Sequence, residues 1–248
     1  MAIHDLKSQR LFVEAGLQAG IAVPCADDQA NYLRNVLRMN AGAELLIFNG
    51  RDGEWRARLE FAGKRGCVLE PLEMVRPQTD GPDIHYLFAP LKRSRLDYMV
   101  QKATELGVAR LQPVLTRYTI AERVNLERMR ANAIEAAEQC GILRIPEVAD
   151  PEKLQRVVER WDSARPLVFC DEAAEQANPI AALAAIRPGP VGLIIGPEGG
   201  FADEERELLM RQPFTLRLAL GPRIMRADTA AVAALALINA VVGDWRGA

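Results

Sequence analysis

In residues 55–61 the apolar side chains Trp55, Ala57, Leu59 and Phe61 alternate with Arg56, Arg58 and Glu60, the period-two pattern of a strand with one buried face. The run ELLIF (44–48) precedes it across the turn NGRDGE, so the two predict a hairpin, and CVLEPLE (67–73) predicts a further strand. Upstream, Tyr32, Leu33, Val36, Leu37 and Met39 recur near the helical period in DQANYLRNVLRMNAG. This predicts one helix, capped by Asp27 or Asp28, stopped at Asn40 and Gly42, and carrying Arg34 and Arg38 one turn apart on one face. Residues 1–74 are thus expected to form a compact sheet or barrel with a single helix.

The segment VRPQTDGPD (75–83), with two prolines and a glycine, reads as a linker. Beyond it, over 75–248, the pattern changes to apolar strand-like runs: IHYLFAP, ARLQPVL, PLVFCDE, VGLIIG and FTLRLAL. Helical stretches such as SRLDYMVQKATELG and NLERMRANAIEAAEQCG separate most of them. In the second, Leu126, Met129, Ala133, Ala136, Ala137 and Cys140 share a face, with Gly141 at the C-cap position. Strands alternating with helices predict an α/β domain whose mostly parallel sheet is covered on both faces. Periodicity alone gives a doubly wound sheet with unknotted connections.

Composition narrows the function classes. With 49% hydrophobic and 26% charged residues and no low-complexity tract, the chain reads as an ordinary globular protein. A formal net charge of −2 carries no bulk signature of polyanion binding, so a nucleic-acid site must be a local basic patch. The candidates are Arg34 with Arg38, and the run Lys92, Arg93, Arg95. Cys25, Cys67, Cys140 and Cys170 lie far apart with only His4 and His85 to assist, so no metal site is expected and the cysteines read as small core hydrophobes. His85, inside an apolar run, reads as a packed core histidine. The N-terminus is charged throughout, and the longest apolar run (230–243) falls short of the roughly 20 residues of a bilayer span. A soluble cytoplasmic protein without a membrane partner is the expectation.

Ligands of open parallel sheets bind beyond the carboxyl ends of the strands. Three loops qualify: CDE after PLVF, GPEGG after VGLII, and GPRIMRADTA after FTLRLAL. The glycine surplus in GPEGG exceeds what a turn needs and points to a close approach to the backbone. Asp203, Glu204 and Glu205 follow at a helix start, and no phosphate-binding glycine fingerprint occurs, which favours a neutral or cationic ligand over a nucleotide phosphate. In the third loop Arg223 and Arg226 flank Ile224 and Met225, and Asp228 or Thr229 is expected to cap an alanine-rich helix.

IIGPEGGF followed by LALGPRIMRADTAAVAAL resembles the paired cofactor-loop motifs of the bacterial 16S rRNA uridine-N3 methyltransferase family, within the SPOUT superfamily of trefoil-knotted methyltransferases. KATELGVARLQPVLTRYT, AIEAAEQCGILRIPEV and NYLRNVLRMNAGAELLIFNGRDGE resemble further segments, so the likeness spans nearly the whole chain. The chain departs at Asp228, where the family usually has Glu, and near Asn31 and Tyr32, where it usually has His. The resemblance implies a SPOUT α/β trefoil-knot domain over 75–248 and a small PUA-like β-barrel RNA-binding domain over 1–74. It implies S-adenosylmethionine as cofactor, held in a bent shape. Ile195, Gly196, Gly199 and Gly200 would line one side, with Leu220, Gly221, Ile224, Met225, Thr229 and Ala230 opposite. The implied reaction is methylation of N3 of a specific uridine in 16S rRNA, in free RNA or the 30S ribosomal subunit, by a homodimer whose seam is the alanine-rich helix. Arg226, steadying charge on a uracil carbonyl, and Glu198, as proton acceptor or orienting group, are the candidate catalytic residues. Arg34, Arg38, Lys92 and Arg93 are the candidate RNA contacts. A ribose 2′-O-methyltransferase and a non-catalytic RNA-binding protein stand as alternatives.

Overall fold

The computed structural model describes residues 8–63, 66–120, 123–175 and 178–247; His4 lies outside them. Two compact units result. The first runs to Asp80 and also takes in Ala137–Ile145; the second comprises Gly81–Ala136 and Pro146–Ala248.

The first unit contains β1 (Arg10–Phe12), β2 (Val23–Pro24), α1 (Asp27–Asn31), β3 (Glu44–Phe48), β4 (Glu54–Ala62) and β5 (Gly66–Arg76). Its five strands follow the order β1-β3-β4-β5-β2, antiparallel except where β1 meets β3. Leu11 and Val23, from the two edge strands, enter the same core as Leu45, Ile47, Ala57, Leu59 and Leu69, so the sheet curls around that core. The alternation along β4 is observed: Ala57 and Leu59 are fully buried, and Arg58 and Glu60 face out. One residue breaks the expected pattern. Glu54 is 2% exposed, and its carboxylate accepts from Arg10 Nε at 2.9 Å and Arg76 Nε at 2.8 Å. Arg76 Nη2 also donates to the Gly141 carbonyl at 2.7 Å. Gly53, before β4, has φ 79°, and a Cβ there would stand 2.5 Å from the Arg76 carbonyl oxygen. Only glycine fits that turn.

The helix expected over 28–42 forms only from Asp27 to Val36 and is not regular. After α1 the chain widens into a π-helical turn over Tyr32–Val36, where the Leu37 N–H reaches the Tyr32 carbonyl at 2.9 Å, and Arg38 then takes φ 52°. The extra residue in the turn keeps Leu33 buried while Leu37 and Met39 pack on the same core, and it turns Tyr32 and Val36 outward. Arg34 and Arg38 therefore do not share a helical face. The Arg34 guanidinium donates to the carbonyls of Gly63 (3.2 Å) and Gly66 (3.1 Å) and lies 4.2 Å above the Phe61 ring. The N-cap is Ala26, whose N–H is accepted by Gln29 Oε1 at 3.1 Å; Asp27 and Asp28 occupy the first turn instead.

The second unit contains β6 (Ile84–Phe88), α2 (Arg93–Glu105), β7 (Val108–Leu115), α3 (Leu126–Cys140, whose last turn belongs to the first unit), β8 (Glu147–Val148) and β9 (Glu152–Lys153). It continues with α4 (Leu154–Glu159), β10 (Leu167–Cys170), α5 (Pro179–Leu183), β11 (Val191–Ile195), α6 (Asp203–Met210), β12 (Thr215–Leu218) and α7 (Ala227–Val241). The strands pair in the order β12-β10-β11-β6-β7-β8, with β9 also on β7, and every pairing is parallel. The α/β expectation is borne out. Helices α4 and α6 supply Leu154, Val157, Val158 and Leu209 to a core against Leu87, Leu167, Phe169 and Ile194. Helix α7 follows the edge strand β12, yet it packs on α2, α5 and the central strand β11. The chain thus returns behind the middle of the sheet, the kind of return a trefoil path calls for.

On α3, Met129, Ala133, Ala136 and Ala137 are buried and Gly141 has φ 65°, with the Ile142 N–H on the Ala137 carbonyl at 3.0 Å, so the face and the C-cap are as expected. Cys140 is exposed rather than a core residue, because it sits in the last turn beyond that face. Among the described residues no helix is long and apolar enough to cross a membrane.

Candidate functional site

Strand order decides which loops can act together. Val168 of β10 pairs with Leu193 of β11 on one side and Leu216 of β12 on the other. All three strands run the same way, so the loops after them leave from one end of the sheet. The segments 196–200 and 219–226 therefore flank Asp171, about 10 Å apart by two strand spacings. Strand β6 pairs with β11 on the far side, and the Ala89 N–H donates to the Ile195 carbonyl at 3.1 Å. Helix α2 thus starts from the same rim, with Lys92 as its N-cap and Arg93 in its first turn, both exposed. The rim brings together every candidate residue of the second unit. Arg34 and Arg38 belong to the first unit.

The glycine surplus in GPEGG has internal causes. A Cβ on Gly196 would meet the Phe201 ring at 2.6 Å, so the nearest neighbour of that backbone is an aromatic side chain of the same loop, which plugs into the core beneath. Gly200 has φ 71° and would carry its Cβ to 2.9 Å from Glu172 Oε1, while Gly199 faces Tyr118 with a Cβ distance of 3.3 Å. The close approach inferred from the sequence is real, but at Gly196 the partner is Phe201. Glu198 projects from the loop and accepts from Arg95 Nη1 at 3.2 Å, a pair with both side chains partly exposed. The acidic start of α6 is also partly engaged: Glu205 accepts from the N–H groups of Ala202 (3.0 Å) and Arg117 (2.8 Å).

Across β10, the chain leaves β12 through buried Ala219 and half-buried Leu220, then Gly221 with φ 91°. Met225 is half-buried, Ile224 is 94% exposed, and Arg223 and Arg226 are exposed. Arg226 is the N-cap of α7; Asp228 sits in the first turn and its carboxylate accepts from the N–H of exposed Thr229 at 2.9 Å. The expected cap is thus displaced by two or three residues. Ala230 is buried and its N–H reaches the Arg226 carbonyl at 2.8 Å. Among the described residues, the main chain of Leu220, Ile224 and Met225 makes no hydrogen bond with the protein. Main-chain donors and acceptors left open beside apolar side chains suit a ligand read by backbone contacts.

His85 takes no part at this rim. It lies near the amino end of β6, edge-on to Trp161 at 6.2 Å, with its pKa lowered to about 4 by burial first and the nearby Arg165 second. It is neutral at pH 7, as a packed imidazole should be. The sequence names the loop holding Asp171 and the basic run holding Arg95, but it does not give Arg95 as the partner of Glu198, Asp171 as the partner of Arg206 and Arg217, or Tyr118 beside Gly199. The one local signal was a charged pair, Asp171-Glu172, directly after a fully apolar strand.

Residues 79–239 match the RNA methyltransferase domain, and residues 26–72 match the RNA methyltransferase PUA domain, which bears out the PUA-like reading of the N-terminal unit. The ribosomal RNA small subunit methyltransferase E of Rickettsia conorii is 28% identical, over 94% of this chain and 96% of its own. Among solved structures, the Legionella pneumophila protein Lpg2936, in complex with the cofactor SAM, has a TM-score of 0.85 at 30% identity and covers 96% of this chain and 99% of its own. The ribosomal RNA small subunit methyltransferase E of Neisseria gonorrhoeae, bound to S-adenosyl methionine, has a TM-score of 0.85 at 26% identity with the same coverage.

Proposed function

The chain belongs to the RNA methyltransferase family, and from that premise we propose that it uses S-adenosylmethionine to methylate N3 of a uridine in small-subunit ribosomal RNA. The observation that carries the reading is the pair of loops flanking β10 at one rim of the sheet, one of them with unengaged main chain. Relatives that methylate small-subunit ribosomal RNA, and neighbours solved with S-adenosylmethionine, support substrate and cofactor.

The residues present fit the cofactor. Leu220, Ile224 and Met225 offer apolar surface and open backbone groups on one side, and Ile195 and the 196–200 loop stand on the other. Neither loop is a phosphate cradle, in keeping with a cofactor that has none. When bound, the sulfonium supplies the methyl group for an in-line displacement. The protein's task is then orientation and charge stabilisation. Uracil N3 must lose its proton as it accepts the methyl, which places negative charge on the flanking carbonyl oxygens. Arg226 at the start of α7 is the group suited to meet that charge, being permanently cationic and forked. Glu198, held by Arg95, is an orienting acceptor or takes the N3 proton. Lys92 and Arg93 at the same rim would contact RNA phosphates. A homodimer completes the reading, with α7 at its seam.

Gly199→Val tests the cofactor loop. The new side chain would press on Tyr118, only 3.3 Å away at the Cβ. Cofactor affinity, read by titration, is expected to collapse while the unfolding midpoint stays near that of the parent, because the position is exposed. Normal affinity would contradict the loop's assignment. The whole proposal is tested by incubating the protein with methyl-labelled cofactor and either deproteinised 16S rRNA or 30S particles, then digesting the RNA to nucleosides. Label on uridine N3 is expected; label on a ribose 2′-oxygen, or none, would overturn it.

A further inference from the structure

We propose that Asp171 is a positioning residue that sets the spacing of the two cofactor loops; this rests on the cofactor reading above. Asp171 follows β10, the strand between the loops, and its side chain is 1% exposed. Its Oδ2 accepts from Arg217 Nε at 2.5 Å and from Arg206 Nη2 at 3.0 Å, and its Oδ1 lies 2.8 Å from the same Arg206 nitrogen. Arg217 lies on β12, just before the segment 219–226. Arg206 lies on α6, just after the loop 196–200. One carboxylate therefore joins the arm of each loop through the strand between them. Oδ1 also accepts the Ala173 N–H at 3.1 Å, and the Asp171 main chain is tied to β12 where its N–H donates to the Leu218 carbonyl at 3.0 Å. Arg217 Nη2 adds a bond to the Ala173 carbonyl at 2.7 Å. Glu172 extends the clamp, 3.6 Å from Arg206 Nη1 and close over Gly200.

Stability alone does not explain this arrangement. A buried ion cluster can be exchanged for packed apolar residues with little or no loss of stability, because desolvation cancels most of the attraction. What apolar packing cannot supply is a fixed, directional link between two arginines on different elements. A ligand that must touch both loops needs that link, since small displacements of contact groups are costly.

The test compares Asp171→Asn with Arg217→Gln. The second variant cuts only the β12 arm at a partly exposed side chain and so keeps the experiment informative if the first does not fold. Binding of S-adenosylmethionine and of S-adenosylhomocysteine is measured by calorimetry, alongside kcat and KM for the cofactor. Both constants are expected to weaken about tenfold, the cost of one charge-assisted hydrogen bond. Because Arg226 stands on the segment 219–226 that the link holds, kcat is expected to fall together with the rise in cofactor KM, and the two binding constants, measured without turnover, carry the test. A lower unfolding midpoint with unchanged cofactor KM and affinity would overturn the positioning role. Failure of the parent protein to bind either compound would instead overturn the cofactor reading on which it rests.

Discussion

Arg226→Ala is expected to bind S-adenosylmethionine as the parent does and to turn over about a hundred to a thousand times more slowly, the usual loss when one preorganised donor to a developing anion is removed. The expectation comes from where the residue sits. Arg226 is exposed at the N-cap of α7, with φ −66° and ψ 153°, and no ion pair joins it to Asp228. Its charge is therefore available to a substrate. The positive end of the α7 dipole reinforces it. Arg226→Lys keeps the charge but loses the fork, and should recover only part of the rate. Single-turnover methyl transfer with saturating RNA, together with a cofactor titration, separates the two effects. An unchanged single-turnover rate would remove Arg226 from the mechanism. Glu198→Gln in the same assay distinguishes its two roles: a proton acceptor changes the pH dependence of the rate, whereas an orienting group does not.

The second large effect concerns stability. Glu54→Ala is expected to destabilise the first unit by about 3–5 kcal/mol, because it strands two guanidinium groups around a buried, vacated position. Arg10 is itself 8% exposed, and its Nε bond to Glu54 is 2.9 Å long. Scanning calorimetry of the whole chain should show one transition falling by roughly 10 °C or more, given the small size of the unit. Replacing Arg10, Glu54 and Arg76 together by Met, Leu and Met should restore part of the loss, since the desolvation costs of the three charges vanish together while the Gly141 carbonyl loses its Arg76 donor. A parent-like midpoint for the single variant would show that the triad carries no weight.

Local periodicity made much of this molecule readable. The alternation in β4, the apolar stripe of α3, the glycine at its end and the strand–helix rhythm of the second unit all depend on neighbours within a turn or two of chain. The two glycine-bearing loops are likewise visible as the ends of apolar strands, whereas their pairing as cofactor loops is implied only by the resemblance. The failures share a different cause. A π turn and an α turn bury the same leucines, so spacing could not reveal that Tyr32–Val36 widens and that Arg38 leaves the helix. The cap of α7 fell on Arg226 because a backbone dihedral, not a side-chain type, marks the helix start there. Glu198 with Arg95, and Asp171 with Arg217, are 103 and 46 residues apart in sequence. No local pattern encodes such pairings; they follow from strand order, which periodicity leaves open. The glycine surplus of GPEGG marks a crowded backbone, but nothing in the local sequence names Phe201 as the neighbour of Gly196.

The patch of chain at Ala137–Ile145 that completes the first unit has a consequence for biosynthesis. Glu138 accepts the Phe12 N–H at 2.8 Å, and Gly141 supplies the carbonyl that anchors Arg76. A ribosome that has released everything through Asp80 has therefore released an unfinished domain. At about 5–20 residues per second, several more seconds pass before its closing piece is even polymerised. During that wait the β-rich segment must stay unaggregated with its last layer missing, and a gene fragment cut at the apparent linker would leave it in that condition permanently.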